Sequence, residues 1–137
     1  MRVVIDTNVF VSGPMLPASV PGRILSVANA GGFEIVLCES MLVEIGTALH
    51  YPKVRKRIAL SDDQLDRYVQ ALRFAADVVD PAGVSVQVPG DRDDDVILAT
   101  LVVAKADWLV TGDAALLALA DQHPIITPAA FAARHLR

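Results

Sequence analysis

The chain has 137 residues, of which 53% are hydrophobic and 20% are charged, so we expect one compact folded domain over residues 1–137. This composition excludes an intrinsically disordered protein, and the single cysteine, Cys38, excludes an intrachain disulfide or a multi-cysteine zinc site. The net charge of −4 is opposite in sign to that of most nucleic-acid-binding domains, although bound divalent cations would reverse the local field at an acidic site. No apolar run approaches the ~20 residues of a membrane helix, and the start lacks the pattern of a signal peptide, so we expect a cytoplasmic protein.

The first third of the chain predicts two strands and one helix. The β-branched run at 2–5 predicts a buried strand that ends at a polar turn, Asp6-Thr7-Asn8. Three prolines and a glycine predict a loop over 14–22, and Pro21 is suited to the start of the helix that follows. Gly31 and Gly32 close that helix, and a second strand is predicted over 33–38.

The middle of the chain predicts two helices. Ser40 is the predicted N-cap of a helix through Leu49, which Pro52 then ends. Ser61 and Gln64 match a capping box and predict a longer helix through about residue 76. Residues 78–79 and 84–86 give weak strand signals.

The last third alternates between helices and strands. An acidic turn at 91–95 leads into an apolar helix over 96–104, and strands are predicted at 108–111 and 125–126 with a helix over 114–120 between them. Thr127 and Pro128 predict the start of a terminal helix. Strands that alternate with helices predict an α/β fold with a short, mostly parallel, doubly wound central sheet flanked by helices.

Carboxylates fall at the positions where such a sheet gathers functional groups, which is the carboxyl end of its strands. Asp6 ends the first strand, Asp113 follows the strand at 108–111, and Glu44 lies one turn into the helix after the second strand. The acids at 93–95 open the helix that precedes the strand at 108–111. Four carboxylates within a few ångströms of one another need cations to stay ionised, and we expect these acids to meet in that way. A set of ligands that are all oxygens is suited to Mg²⁺ or Mn²⁺ rather than zinc, so this pattern predicts nuclease chemistry.

Each acid also has a structural interpretation. Asp6 could cap a turn, Glu44 could be a solvated helix residue, and Asp113 could cap the helix that follows it. The run at 91–95 could stabilise the start of its helix by a few tenths to ~1 kcal/mol. The ordered set on one fold, rather than any single residue, therefore carries the functional prediction.

The chain resembles the PIN domain family, in the branch that contains toxins of toxin–antitoxin pairs. The matching motifs are Val4-Ile5-Asp6-Thr7-Asn8-Val9-Phe10-Val11-Ser12, 40–44, 91–95, 106–113 and 125–131. These motifs span essentially the whole chain and are specific in their order and spacing.

The resemblance implies a PIN-like fold and a metal-dependent endoribonuclease that cleaves single-stranded RNA with Mg²⁺ or Mn²⁺. It implies catalytic and metal-binding roles for Asp6, Glu44, Asp113 and one residue of the pair Asp94 and Asp95, with Asp94 favoured. Asn8 and Thr111 match polar positions that support the first and last acids by hydrogen bonding. The resemblance further implies a small antitoxin partner and a homodimer.

Four of the 12 basic residues lie within five positions, at Lys53, Arg55, Lys56 and Arg57. This cluster is the candidate contact for the RNA backbone, although a solvated basic face explains it equally well. A phosphatase of the haloacid-dehalogenase type would need a second aspartate where this chain has Asn8. The alternative that the sequence leaves open is a non-catalytic PIN-like module that binds RNA or an antitoxin.

Overall fold

A computed structural model describes residues 1–90 and 92–136 of the chain. Within these residues, five parallel strands form one sheet in the order β3-β2-β1-β4-β5. The strands are β1 (Arg2–Ile5), β2 (Glu34–Leu37), β3 (Asp77–Val78), β4 (Trp108–Val110) and β5 (Ile125–Ile126). The predicted α/β class with a parallel sheet is confirmed. Strand β3 corresponds to the weak strand signal at 78–79, shifted by one residue.

The strand order reverses at β1. Val4 pairs with Val36 of β2 on one side and with Leu109 of β4 on the other, so the next strand along the chain is on one side of β1 and a much later strand is on the other. In parallel sheets with helices on both faces, the carboxyl end of such a reversal opens a crevice between two loops. Asp6 and the residues that follow β4 therefore lie at the edge where a ligand site is expected.

Eight helices surround the sheet in the described residues. They are α1 (Thr7–Met15), α2 (Val20–Asn29), α3 (Glu39–Leu49), α4 (Pro52–Arg55), α5 (Asp62–Ala75), α6 (Asp95–Ala104), α7 (Ala114–Leu117) and α8 (Pro128–His135). None of these helices is long and apolar enough to span a membrane.

Two helix starts confirm the predicted caps. The Ser61 hydroxyl accepts a hydrogen bond from Gln64 N at 3.2 Å, while the Gln64 side chain accepts one from Ser61 N at 2.8 Å, so the capping box is complete. The Thr127 hydroxyl accepts from Ala130 N at the start of α8. Both caps satisfy N–H groups that have no partner inside the helix.

Helix α1 corrects the prediction that a polar turn at Asp6-Thr7-Asn8 leads to a proline loop. The helix starts at Thr7 and continues through Pro14, which cannot donate a hydrogen bond to the carbonyl of Phe10. The Tyr68 hydroxyl of α5 donates to that carbonyl instead, at 3.1 Å. A residue 54 positions away in sequence from Pro14 thus makes the proline tolerable, and the predicted loop is reduced to 16–19.

Three smaller predictions are also corrected. Cys38 rather than Ser40 is the N-cap of α3, because the helix begins directly where β2 ends. Residues 84–86 form no strand, since a 3-10 turn at Pro81–Gly83 leads the chain away from the sheet. Helix α7 ends at Leu117, earlier than predicted, because the next residues form turns before β5.

Candidate functional site

Asp6 is held in a buried position between β1 and β4. Val3, Val4 and Ile5 are fully buried, so the strand delivers Asp6 to the carboxyl edge of the sheet with only 4% of its surface exposed. Its backbone N–H donates to Val110 O at 2.9 Å, which fixes the residue against β4. A buried carboxylate is costly without donors, and the hydroxyls around Asp6 provide them.

Thr111 connects the ends of β1 and β4 through one hydroxyl group. The hydroxyl donates to Oδ2 of Asp6 at 2.6 Å and accepts a hydrogen bond from Asp113 N at 3.0 Å. Thr111 is fully buried, so this link is shielded from water. Thr111, which was predicted to support Asp113, therefore contacts both the Asp6 carboxylate and the backbone of Asp113.

Asp113 begins α7 and uses one carboxylate oxygen as a helix cap. Oδ1 accepts from Ala115 N at 2.8 Å and from Leu116 N at 3.4 Å, as in the structural interpretation of this residue. Oδ2 accepts no hydrogen bond from any residue within 1–90 or 92–136. The cap fixes the orientation of the side chain and leaves one oxygen for a ligand.

Glu44 of α3 shares the electrostatic environment of Asp6. Partial burial of its carboxyl group raises the pKa of Glu44, and the negative charge of Asp6 raises it further. A hydrogen bond with Thr7 lowers this pKa, and the charge of Asp93 raises it. Glu44 is an exposed residue as a whole, so these effects show that its carboxyl end approaches the buried acid.

Thr7 has a role that the sequence did not predict. Its hydroxyl donates to Oδ1 of Asp6 at 3.3 Å, and hydrogen bonding by the same side chain lowers the pKa of Glu44, so its single proton is within reach of either carboxylate. Asn8, to which the resemblance gave the supporting role, is exposed in the first turn of α1 and forms no hydrogen bond with Asp6. In the sequence, the signal for this role of Thr7 was a hydroxyl residue directly after the aspartate that ends a strand.

The acidic run before α6 divides into residues with different surroundings. Asp91 lies outside the described residues. Asp93 is exposed, and its charge acts on Glu44, whereas Asp94 is the N-cap of α6 and only 6% exposed. Oδ1 of Asp95 accepts a hydrogen bond from Val88 N at 2.6 Å, so this carboxylate is directed toward the preceding segment. The charge of Asp93 on Glu44 is a second feature that sequence reasoning missed.

The basic cluster at 53–57 is not uniform. Nε of Arg55 pairs with Asp62 at 2.9 Å, and its Nη1 donates to Ile58 O at 3.4 Å, so Arg55 connects the turn after α4 to α5. Lys53, Lys56 and Arg57 are exposed. Only these last three basic side chains are available to an external ligand.

The carboxyl edge is suited to a divalent cation in the chemistry of its donors. Asp6, Glu44 and Asp113 take part in no ion pair with any described residue, and every predicted ligand atom is a carboxylate oxygen, the donor type preferred by Mg²⁺ and Mn²⁺. Among residues 1–90 and 92–136, no three acidic, histidine or cysteine side chains are already close enough to hold one metal ion. Asp6, Glu44 and Asp113 are therefore associated with one edge of the sheet, but the described residues do not assemble three such side chains around one point.

Comparison with known proteins identifies the class to which this fold and site belong. The model of the PIN domain family matches residues 2–115, a range that includes Asp6, Glu44, the run at 93–95 and Asp113. The chain belongs to the PIN domain family. PIN domains are generally nucleases that use divalent metal ions, so the family supports a nuclease-type hydrolase that acts on nucleic acid.

One relative among curated proteins is similar over nearly the whole chain. It is the uncharacterized protein MJ1680 of Methanocaldococcus jannaschii, which is 30% identical over 123 residues. The alignment covers 90% of this chain and 77% of the relative. The name of this relative assigns no activity to it.

Proposed function

We propose that this chain is a divalent-metal-dependent endoribonuclease that cleaves single-stranded RNA at the carboxyl edge of its sheet. The observation that carries the proposal is the hydrogen-bonded unit of Asp6, Thr111 and Asp113 at the reversal of strand order. Glu44 lies close enough to this unit that Asp6 raises its pKa. Like charges held together without a cationic side chain are typical of a site for bound metal.

In this proposal, Asp6, Glu44, Asp94 and Asp113 hold the cations, which are Mg²⁺ or Mn²⁺. Asp94 is preferred to Asp95 because the hydrogen bond from Val88 N directs the Asp95 carboxylate toward the segment that precedes the helix. Bound divalent cations supply an activated water and positive charge for the scissile phosphate. The chain's own contribution is orientation: Thr111 and Thr7 hold Asp6 in place, and the helix cap holds Asp113.

RNA binding is proposed for the exposed part of the basic cluster. Lys53, Lys56 and Arg57 are free of ion pairs with the described residues, so they can neutralise backbone phosphates. Arg55 is assigned to the fold instead, because its guanidinium is held by Asp62 and Ile58 O. The proposal predicts that RNA affinity decreases with salt, as expected for phosphate contacts.

For the biological role, we propose that the chain is a toxin that binds a small antitoxin and forms a homodimer. Several large apolar side chains are exposed, and a protein partner that covered them would remove their apolar surface from water. The most exposed are Phe74 at 94%, Leu16 at 65%, Val43 at 58% and Tyr51 at 57%. These side chains support binding of a protein partner, which is either an antitoxin or a second copy of this chain.

One observation favours the alternative of a non-catalytic RNA- or antitoxin-binding module. The described residues contain no group of three metal-binding side chains that is already assembled, so metal binding requires side-chain movement. A module of this kind would bind RNA without cutting it. The two functions therefore differ in turnover rather than in binding.

The test compares cleavage of labelled single-stranded RNA by the wild type, by Asp6→Asn and by Asp121→Asn, in Mn²⁺, in Mg²⁺ and in chelator. Asp121 is an exposed acid in the turns between α7 and the start of β5, and it serves as the matched control. We expect cleavage that requires metal, is retained in Asp121→Asn and decreases at least about a hundredfold in Asp6→Asn. Equal cleavage by all three proteins would indicate a contaminating nuclease, and RNA binding without cleavage would favour the non-catalytic module.

A further inference from the structure

A second concave feature lies beside the start of α6. It is a cavity of about 500 Å³, open to the surface, and we refer to it as the loop cavity. Among the described residues, its lining is formed by Gln87, Val88, Pro89, Gly90, Arg92 and Asp95. This volume is within the range of roughly 300–1,000 Å³ that accommodates small molecules. Of the predicted catalytic and metal-binding residues that the structure describes, Asp95 lines it, whereas Asp6, Glu44, Asp94 and Asp113 do not.

The segment that forms the loop cavity has no regular secondary structure but is anchored at a defined point. Val88 is only 4% exposed and belongs to the hydrophobic core. Pro89 and Gly90 then form a turn, and Gly90 has φ +83°, a left-handed conformation that a side chain would disfavour. The buried valine and the turn therefore position the part of the wall formed by residues 87–90.

Asp95 ties this wall to α6. Its Oδ1 accepts a hydrogen bond from Val88 N at 2.6 Å, across seven positions of the chain. A buried backbone N–H outside helices and strands needs an acceptor, and Asp95 provides it from the first residue of the helix. The same helix start carries Asp94, so the cavity wall and the proposed metal-binding acid are positioned by one element.

The lining is suited to one nucleotide. Arg92 is an exposed cation that can pair with a phosphate, Pro89 gives an apolar surface for a base, and Gln87 can form hydrogen bonds with a base edge. Arg92 and Asp95 flank Asp93 and Asp94 in sequence, so a nucleotide in the cavity would lie next to the acidic residues. An adjacent nucleotide of a bound RNA strand fits this placement.

We propose that the loop cavity is a nucleotide subsite beside the cleavage site, with Arg92 as its phosphate contact and Asp95 as its positioning residue. This inference rests on the proposed function and deepens it. In this proposal, Asp95 acts by holding Val88 in place and not as a metal ligand. The requirement at position 95 is therefore an acceptor oxygen and not a negative charge.

The first experiment separates these two requirements by steady-state cleavage of a short single-stranded RNA in Mn²⁺. Asp95→Ala removes the acceptor, whereas Asp95→Asn keeps an oxygen and removes the charge. We expect Asp95→Ala and Arg92→Gln to raise KM about tenfold with kcat changed less than about threefold, and Asp95→Asn to restore most of the loss. An Asp95→Asn variant as impaired as Asp95→Ala, or a loss mainly in kcat, would overturn the positioning role.

The second experiment needs no turnover, so it distinguishes failure of the subsite from failure of the nuclease. Adenosine 5′-monophosphate is added at millimolar concentration to the wild-type protein in chelator, and amide chemical shifts are followed. We expect shifts at Val88 and Gly90 that are lost in Arg92→Gln. Shifts confined to Lys53 and Lys56, or none at all, would overturn the subsite even if RNA is cleaved, whereas the expected shifts without RNA cleavage would reject only the nuclease.

Discussion

Acidic side chains lie at both edges of the sheet, but their partners differ. At the amino edge, where the strands begin, Arg2 pairs through Nη1 with Glu34 at 2.9 Å and with Asp77 at 2.8 Å. Its backbone N–H also donates to Asp107 at 2.7 Å. One arginine thus joins the acids of β2, β3 and the approach to β4, and their charges contribute to strand association.

At the carboxyl edge, neutral groups take the place of that arginine. The hydroxyls of Thr7 and Thr111 contact the Asp6 carboxylate, and partial burial together with the negative charge of Asp6 raises the pKa of Glu44. Acidic residues therefore stabilise the fold at the amino edge, whereas at the carboxyl edge they lie near one another despite their mutual repulsion. This comparison shows that the partner of an acid, rather than its presence, distinguishes a structural site from a candidate catalytic one.

The largest stability effect is expected from Thr111→Val, which keeps the shape of the side chain and removes the hydroxyl that contacts Asp6. The buried carboxylate then lacks its closest donor, and Asp113 N loses its acceptor. We expect the free energy of unfolding in chelator to decrease by about 1–3 kcal/mol. Chemical denaturation monitored by circular dichroism measures this decrease.

Thr100→Val is the matched control, since Thr100 is also fully buried. Its hydroxyl donates only to Val96 O within α6, at 2.7 Å, so the substitution leaves no donor or acceptor of the carboxyl edge without a partner. We expect a loss below about 0.5 kcal/mol. Equal losses in the two variants would show that the Asp6 contact has no particular importance for stability.

A smaller effect of opposite sign is expected from Glu44→Gln. Because the pKa of Glu44 is raised in the folded protein, its favourable contribution is complete below the ordinary value of 4.5 and is lost as pH rises through the folded value. Replacing it with a neutral residue should therefore increase the free energy of unfolding at neutral pH, by at most about 1 kcal/mol for this exposed side chain. The gain should vanish in acid and shrink when Mn²⁺ is added.

Glu34→Gln tests the other edge with the same substitution. Glu34 is paired with Arg2, so its neutralisation should decrease the free energy of unfolding by about 0.2–1 kcal/mol and should not respond to Mn²⁺. The comparison of the two edges fails if both substitutions shift stability in the same direction at neutral pH in chelator.

The sequence was sufficient for β1, β2 and β4 because each is a short, largely apolar run whose residues are mostly buried. It was insufficient for α1, because Pro14 is acceptable in a helix only when Tyr68 of α5 donates to the Phe10 carbonyl. That hydrogen bond depends on tertiary packing, which no local pattern contains.

Prediction of the candidate site from the sequence was limited in the same way. Asp6 and Asp113 could be predicted because strand ends determine where they lie, whereas Thr7 acquires its role only when α3 brings Glu44 to Asp6. The choice between Asp94 and Asp95 depended on the direction of a side chain at a helix start. The hydrogen bond of Asp95 with Val88 N now favours Asp94 in the proposed metal site.

The most direct measurement is paramagnetic broadening of amide signals by substoichiometric Mn²⁺, recorded for the wild type and for Asp6→Asn. We predict that the signals of Thr7, Thr111 and Asp113 lose intensity first, that those of Glu34 and Asp107 lose it last, and that Asp6→Asn abolishes the gradient. Broadening that begins at the amino edge, or that is the same in both proteins, would contradict a cation site at the carboxyl edge of the sheet.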